Sequence, residues 1–446
     1  MKKRIRNLSH VQIIALGFFL LILIGALLLS TPIATFTGER VPFTDALFTA
    51  TSASCVTGLV TLDTGTCWSP FGQGIILFLI QIGGLGVITI STLFFMLFRK
   101  KIGLRQKEVM SESINCSSIG GILKLTKHIL FGTFLLEGIG AVILALRYIF
   151  TYDFPVGKAI WFGIFHSISA FCNAGFDLNG NFSSFTEYAG DPVICILIMA
   201  LIVLGGLGFF VWEDLAKHRF QWKKYQLHTK IVLSVTAVLI IIPAFLFFIL
   251  EKNASHSQMS NSQALLASFF DAISPRTAGM NLTDTATLST PSTLLTCALM
   301  FIGGSPSSTA GGIKTTTLFV LIIFALSTIR KDRYVGVFGR RIPEDNIKKA
   351  FSVFLVNLSL ALGGIFLIGA FEPYLHFKAL TFECFSAIGT VGMTMGITRD
   401  LENVSKIILI LLMFCGRVGS ISFGSALIEK KAPPPITAPF ESITIG

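Results

Sequence analysis

Eight long apolar runs decide what this chain can fold into. Residues 11–29, VQIIALGFFLLILIGALLL, carry no charge, and similar runs fall near 71–98, 128–146, 192–212, 231–250, 293–327, 351–371 and 405–427. A bilayer core takes about 20 apolar residues per helix and supplies no water to a backbone that does not bond to itself. Each run therefore reads as a membrane span, and four shorter semi-apolar stretches lie between them. Only 13% of the residues are charged and 52% are hydrophobic, against roughly 25% charged in soluble domains.

The first run reads as a span and not as a cleaved signal. MKKRIR would suit a basic leader, but the apolar stretch exceeds the usual ~7–15 residues, and no small-x-small site follows before Pro32. The net charge of +11 is explained by where the basic residues lie. Segments 2–6, 99–127, 217–230, 330–349 and 430–431 hold 25 of the 35 lysines and arginines. Basic residues concentrated in alternate loops mark the cytoplasmic side. This places both termini in the cytoplasm of a multi-pass plasma-membrane protein, and the charge calls for no nucleic acid. The eight cysteines include no CxxC pair and the seven histidines lack metal-ligand spacing; His166, in an apolar stretch, reads as a packing residue.

A repeat runs through the sequence. Four loops end in glycine, at Gly58, Gly175, Gly279 and Gly392, and each has a phenylalanine ten positions earlier: Phe48, Phe165, Phe269 and Phe382. Five positions before each glycine stands a small residue: Ala53, Ala170, Ser274 and Ala387. A second glycine motif follows each loop within the next apolar run: IGGLG at 82–86, LGGLG at 204–208, IGGSP at 302–306 and CGRVG at 415–419. Glycines alone are common where membrane helices approach closely, but that does not place phenylalanine, small residue and glycine in register four times. The chain is expected to be an all-α integral membrane protein of four span–pore loop–span repeats, with eight transmembrane helices plus four re-entrant pore helices around one pseudo-fourfold pore. Repeat 1 covers 1–98, repeat 2 covers 128–213, repeat 3 covers 231–328 and repeat 4 covers 351–427. Cytoplasmic loops occupy 99–127, 214–230 and 329–350, and a tail occupies 428–446.

Half-crossing segments suit a cation filter. Irregular backbone at membrane depth is tolerated where it is buried in protein or lines a water-filled cavity. Glycine lets that backbone adopt left-handed dihedrals and come close to a ligand, so carbonyls can replace a cation's hydration shell. A pore helix ending there points its negative end at the cavity. The candidate lining is Val56, Thr57 and Gly58; Asn173, Ala174 and Gly175; Thr277, Ala278 and Gly279; and Thr390, Val391 and Gly392. The last triplet matches the TVG core of the potassium-channel signature, and no acidic ring crosses the four positions. Arg276 is expected to hold the third loop by bonding to its pore helix, pointing away from the axis.

Two further features lie below the loops. The third repeat's second span is broken by Gly303, Gly304, Ser305, Pro306, Ser307, Ser308, Thr309, Ala310, Gly311 and Gly312; glycine costs about 1 kcal/mol and proline about 3 in a helix relative to alanine. Lys314, just beyond, is expected to anchor this segment to a carboxylate or helix end. Arg417 stands inside the last span, where insertion of a charge costs at least ~2.5–3.5 kcal/mol, and it occupies the position held by Gly84, Gly206 and Gly304 in the other repeats. It is expected to project into the pore; the alternative is a structural salt bridge or a carbonyl cap.

These motifs carry a resemblance. Segments 45–66 (DALFTATSASCVTGLVTLDTGT), 168–176 (ISAFCNAGF), 274–281 (SPRTAGMN), 301–317 (FIGGSPSSTAGGIKTTT) and 385–396 (FSAIGTVGMTMG) resemble the pore subunits of the Trk/Ktr/HKT potassium transporter superfamily, most of all the bacterial KtrB type. The likeness covers nearly the whole chain, and no extra N-terminal hairpin of the longer Trk type is present. It implies potassium uptake, with Gly58, Gly175, Gly279 and Gly392 setting selectivity; plant relatives that admit sodium often have serine at the first position. It implies that 303–312 is an intramembrane gating loop and that Arg417 obstructs the pore beneath the filter. It also implies a homodimer, each subunit with its own pore, on a cytoplasmic ring of RCK/KTN-type regulatory subunits that bind ATP or ADP. Sodium would be an activator or coupled ion, as in some relatives.

Two other classes are weighed on residues. A secondary transporter for another solute would want a midplane polar site in inverted repeats. An enzyme would need a clustered nucleophile, base or metal set, which Glu137, Glu383 and His166 do not form in the sequence. No G-x-x-x-x-G-K-[ST] occurs, so nucleotide hydrolysis is not expected of this chain.

Overall fold

The computed structural model describes residues 10–86, 108–109, 122–219 and 221–419. The basic segment 2–6, most of the 99–127 loop and the tail at 428–446 lie outside the described residues.

Repeat 1 is α1 (His10–Leu29), α2 (Phe43–Cys55) and α3 (Pro70–Leu85). Repeat 2 is α4 (Ile122–Tyr152), α5 (Val156–Cys172), α6 (Pro192–Gly206) and α7 (Phe209–His218). Repeat 3 is α8 (Leu227–Glu251), α9 (Asn261–Ile273), α10 (Thr290–Phe301) and α11 (Thr315–Ile329). A hairpin of β1 (Gly336–Val337) and β2 (Arg340–Arg341) leads into repeat 4, which is α12 (Glu344–Phe371), α13 (Phe377–Gly389) and α14 (Asn403–Val418). The first helix of each repeat, α1, α4, α8 or α12, is long and apolar enough to cross a membrane alone.

The second helices are built differently. Among the described residues, α3, α6 and α14 have 16, 15 and 16 residues, about 24 Å at 1.5 Å per residue and short of a ~30 Å core. The starts of α3, α6 and α10 are well signalled: Ser69, Asp191 and Ser289 cap backbone N–H groups ahead of a proline in the first turn, where the missing N–H is no loss. The ends of α3, α6 and α14 are set by the last glycine of the second motif. Gly86, Gly208 and Gly419 have φ of 87°, 93° and 94°, a conformation that side chains resist. At the second of these, α6 and α7 meet at 96°.

Apolar side chains form both the outer surface, as a lipid solvent requires, and much of the core, within which the pore helices bury a set of polar residues. Phe19, Val142, Ile241 and Phe366 are exposed, while Thr49, Ser52, Ser54, Ser167, Ser169 and Ser268 are buried on the pore helices. The repeats close into a ring. The second helix of each repeat packs on the pore helix of the next: α3 on α5, α6 on α9, and α10 on α13, with α14 returning to α2.

Candidate functional site

The ring of helices brings the four loop glycines together. A carbon placed on Gly58 as a Cβ would lie 2.6 Å from the carbonyl oxygen of Ala174; on Gly175, 2.9 Å from that of Ala278; on Gly279, 2.2 Å from that of Val391; and on Gly392, 2.1 Å from that of Thr57. Each glycine thus faces the carbonyl of the residue before the next glycine, in chain order, and the fourth closes on the first. Their φ angles are 97°, 73°, 72° and 96°, so both space and backbone demand glycine at these four positions. Two residues earlier in each loop, Val56, Asn173, Thr277 and Thr390 also have positive φ, at 56°, 57°, 75° and 50°. In repeats 1, 2 and 4 this residue is the left-handed cap of the pore helix. Repeated departures from ordinary backbone are held only where the surroundings over-determine them.

Serines do much of that holding, and sequence reasoning missed them. Ser52 and Ser386 each accept from the N–H of their glycine, Gly58 and Gly392, at 3.0 Å. Ser169 donates to the carbonyl of Phe176 at 2.6 Å, and Ser274 donates to that of Met280. The signal was present as serine six positions before the glycine in repeats 1, 2 and 4. It was obscured in repeat 3, where Ser274 is five positions before Gly279 and the fully buried phenylalanine is Phe270. The third loop is therefore one residue shorter than the others, and the register through Phe269 is corrected to Phe270.

Two buried ionisable residues also brace the loops. His166 was expected only to pack. Its Nε2 accepts from the Leu178 N–H at 3.0 Å and its Nδ1 faces Tyr148 Oη at 3.0 Å. An acceptor Nε2 in a neutral ring leaves the proton on Nδ1, which donates to the tyrosine oxygen. Glu383 on α13 accepts from Thr394 at 2.9 Å and from Thr398, both just outside Gly392.

Beneath the ring, residues 303–312 form a knot with the bend in repeat 2. Ser305 N and Thr309 N donate to the carbonyls of Gly206 and Gly205 at 3.0 and 3.3 Å, and Phe209 N donates to Ser307 O at 2.8 Å. Two interrupted helices thus satisfy one another's backbone, as burial in a membrane requires. The loop also touches the second pore helix and the fourth glycine loop: Thr309 Oγ1 donates to Phe171 O at 3.1 Å, and a Cβ on Gly311 would fall 1.9 Å from Thr390 Oγ1. Lys314 does not reach a carboxylate or a neighbouring helix end. Its Nζ donates to Ala310 O at 2.6 Å and to Gly311 O at 3.4 Å, because the break leaves those carbonyls without helical donors.

Arg417 crosses this space. Its Nη1 donates to Thr309 O and its Nη2 to Gly83 O and, at 3.1 Å, to Gly84 O. One side chain of repeat 4 therefore joins the repeat 3 loop to the second helix of repeat 1. The two readings of this residue merge: it caps carbonyls by reaching across the space beneath the ring. Arg276 instead borders a small cavity with Ile202, Val203, Thr236, Ile273 and Gly304. Its side chain makes no described bond to the third pore helix as expected, and its buried Nε has no acceptor. Among the described residues no group of three or more His, Cys, Asp or Glu could hold a metal.

Comparison with known proteins agrees with this architecture. The sequence pattern of the TrkH family, described as cation transport protein, matches residues 10–431. The chain is 43% identical to the potassium/sodium uptake protein NtpJ of Enterococcus hirae, covering 100% of this chain and 99% of that one. It is 41% identical to the Ktr system potassium uptake protein B of Bacillus subtilis, over 92% of this chain and 91% of that one. The crystal structure of the potassium transporter TrkH from Vibrio parahaemolyticus shares the fold with a TM-score of 0.72 at 18% identity, over 92% of this chain and 84% of that one.

Proposed function

The chain belongs to the TrkH family of cation transport proteins, and on that premise we propose that it is the pore-forming membrane subunit of a Ktr-type potassium uptake system. The observation that carries this reading is the closed ring of Gly58, Gly175, Gly279 and Gly392 against the carbonyls of Ala174, Ala278, Val391 and Thr57. Carbonyls held at that density by four serine-braced loops are the ligands a dehydrated potassium ion takes, and four pore helices point their negative ends at them. Twelve residues, from Val56–Gly58 through Thr390–Gly392 as named above, form the filter. Residues 303–312 with Lys314 are the gate and Arg417 is the constriction. The membrane potential drives the ion inward with about 2.3 kcal/mol per charge per 100 mV; the activity is transport and not catalysis.

The partners of the proposed assembly are a second copy of the chain and a cytoplasmic ring of nucleotide-binding subunits, with sodium as activator. Two observations support this. Close relatives are named as components of a Ktr system or for potassium and sodium together, and the basic segments 217–230 and 330–349 face the side that the charge asymmetry assigns to the cytoplasm.

The test is potassium and sodium flux into proteoliposomes carrying the chain, with and without Gly58→Ser. Flux that favours potassium and loses its preference in the variant supports the reading. Sodium and potassium passing equally through the unmutated chain would leave a pore without the proposed filter.

A further inference from the structure

The loop joining α7 to α8 and the β1–β2 hairpin flank an open cavity of about 460 Å³, apart from the glycine ring, the 303–312 loop and Arg417. Lys223, Lys224, Lys230 and Arg340 line it, and its lining includes no carboxylate. The nearby Asp214 is already engaged, with His218 Nδ1 at 2.8 Å and the Gln226 N–H at 2.9 Å. No described ion pair neutralises any of the four cations. Four like charges on one small cavity repel unless an anion sits among them.

The hairpin tip adds an exposed aromatic ring to this basic lining. Phe338 and Gly339 turn the chain with φ of 49° and 72°. Turns of this kind favour Asn, Asp or Gly at the first position, and a bulky residue there is strained. Phe338 is nonetheless 49% exposed and lines the cavity, and Trp222, next in sequence to the lining residue Lys223 and packed edge-on against the lining Tyr225, is 43% exposed. Aromatic rings at the edge of basic residues are typical of the membrane–water boundary. That is where the cavity lies, because its wall includes Leu227 and His228, in the first turn of the spanning helix α8.

We propose that this cavity binds the phosphate of an anionic phospholipid headgroup from the cytoplasmic leaflet, held by Lys223, Lys224, Lys230 and Arg340 with Phe338 and Trp222 against the glycerol and upper acyl carbons. The size suits one headgroup, and its place beside the first turn of a spanning helix gives a lipid direct access from the bilayer. The proposal rests on the chain's membrane orientation, not on which ion it carries. It has a consequence for the gate. Ser327, near the end of α11, donates to Tyr334 O at 3.3 Å, and Ile342 N donates to Val335 O at 2.9 Å, so the hairpin is fastened to α11. A headgroup in the cavity therefore links the start of α8 to the end of α11, the helix that follows the 303–312 loop.

The experiment measures lipid retention by native mass spectrometry on the purified full chain, taken from vesicles of phosphatidylcholine alone or with phosphatidylglycerol. The unmutated chain is expected to retain phosphatidylglycerol in preference to phosphatidylcholine. A cation near the membrane surface contributes roughly a fivefold increase in binding. The triple variant K223Q/K224Q/R340Q should lose at least about tenfold, whereas K348Q/K349Q, exposed cations outside the cavity, should retain it. Phe338→Asn separates ligand binding from folding: asparagine suits the left-handed turn, so thermal stability should hold or rise while retention falls. Equal retention in the triple variant overturns the proposal. So does an equal loss in K348Q/K349Q, which would mean surface potential alone, and so does displacement of the lipid by millimolar inorganic phosphate, which would mean a soluble anion. Loss of copurification with an acidic protein while lipid retention stays constant would assign the cavity to a protein partner and overturn it as well.

Discussion

Arg417 and Thr309 meet across a boundary between repeats: the guanidinium of the last span donates to a carbonyl in the middle of the loop that interrupts the third. Neither residue has this contact by virtue of its own helix. The same guanidinium also reaches Gly83 and Gly84, so three of the four repeats are tied at one point below the filter.

Arg417→Ala removes both the tie and, on the proposed function, the positive charge from the ion's route. Potassium flux in proteoliposomes should rise severalfold, with little change in the potassium-to-sodium ratio because no filter carbonyl is touched. Arg417→Lys keeps the charge but cannot fork to several carbonyls, so it should fall between the two. A folded Arg417→Ala protein with unchanged flux would remove this residue from the gate.

The four filter glycines should differ in how badly they tolerate alanine. The hypothetical Cβ stands 2.1 Å from a carbonyl oxygen at Gly392, 2.2 Å at Gly279, 2.6 Å at Gly58 and 2.9 Å at Gly175. All four share the positive-φ penalty, so the steric distances set the order. Loss of potassium preference, read from bi-ionic flux, should be greatest for Gly392→Ala and Gly279→Ala and least for Gly175→Ala. Gly74→Ala on α3, whose Cβ would meet nothing within 4 Å, serves as the control. A flat or inverted order would argue against selection by a close-packed carbonyl ring.

Much of this was legible in the sequence because the constraints are local. The first span of each repeat follows from apolar length, and the loop glycines show themselves by fourfold recurrence with Phe48, Phe165 and Phe382. What escaped depends on contacts between repeats or on single-residue shifts. Phe270, not Phe269, takes the buried place because the third loop is one residue shorter, and a fixed spacing rule cannot see a deletion. The glycines of 82–86 and 204–208 read as packing residues, since φ is invisible in a sequence; only the structure shows Gly86 and Gly208 ending helices. His166 and Glu383 looked like isolated polar residues because their partners, Leu178 N–H, Thr394 and Thr398, come from the loop that follows.

Lys406 on α14 and Asp45 on α2 form a buried ion pair at 2.8 Å, where the fourth repeat closes on the first. Breaking one partner of a buried pair leaves an uncompensated charge and costs about 3–5 kcal/mol. Asp45→Asn and Lys406→Met alone should each lower the thermal unfolding temperature markedly and reduce potassium preference. The exchanged pair Asp45→Lys with Lys406→Asp should recover part of both. Single variants as stable as the parent would show that helix packing alone closes the ring.

Glu383 gives a sharper test of how the filter is held. The carboxylate is 1% exposed and accepts two threonine hydroxyls, those of Thr394 and Thr398. Thr394 in turn accepts from the N–H of Gly396 at 3.0 Å, and its carbonyl accepts from Thr285 of repeat 3. Glu383 therefore fixes the strand that leaves Gly392 and couples it to the neighbouring repeat. Glutamine keeps the shape, and because a threonine hydroxyl can turn from donor to acceptor, it can still bond to both; Glu383→Gln should leave potassium preference within about twofold of the parent. Leucine fills similar volume but removes the shared acceptor; the buried Thr398 hydroxyl can turn to Thr394 Oγ1 at 2.9 Å, which leaves the half-buried Thr394 hydroxyl without its carboxylate, at about 1–3 kcal/mol. Glu383→Leu should then lose at least about tenfold in preference while the protein stays folded, because the loop and not the helix carries the strain. If glutamine proves as damaging as leucine, the negative charge itself, and not the hydrogen-bond geometry, is what this residue supplies.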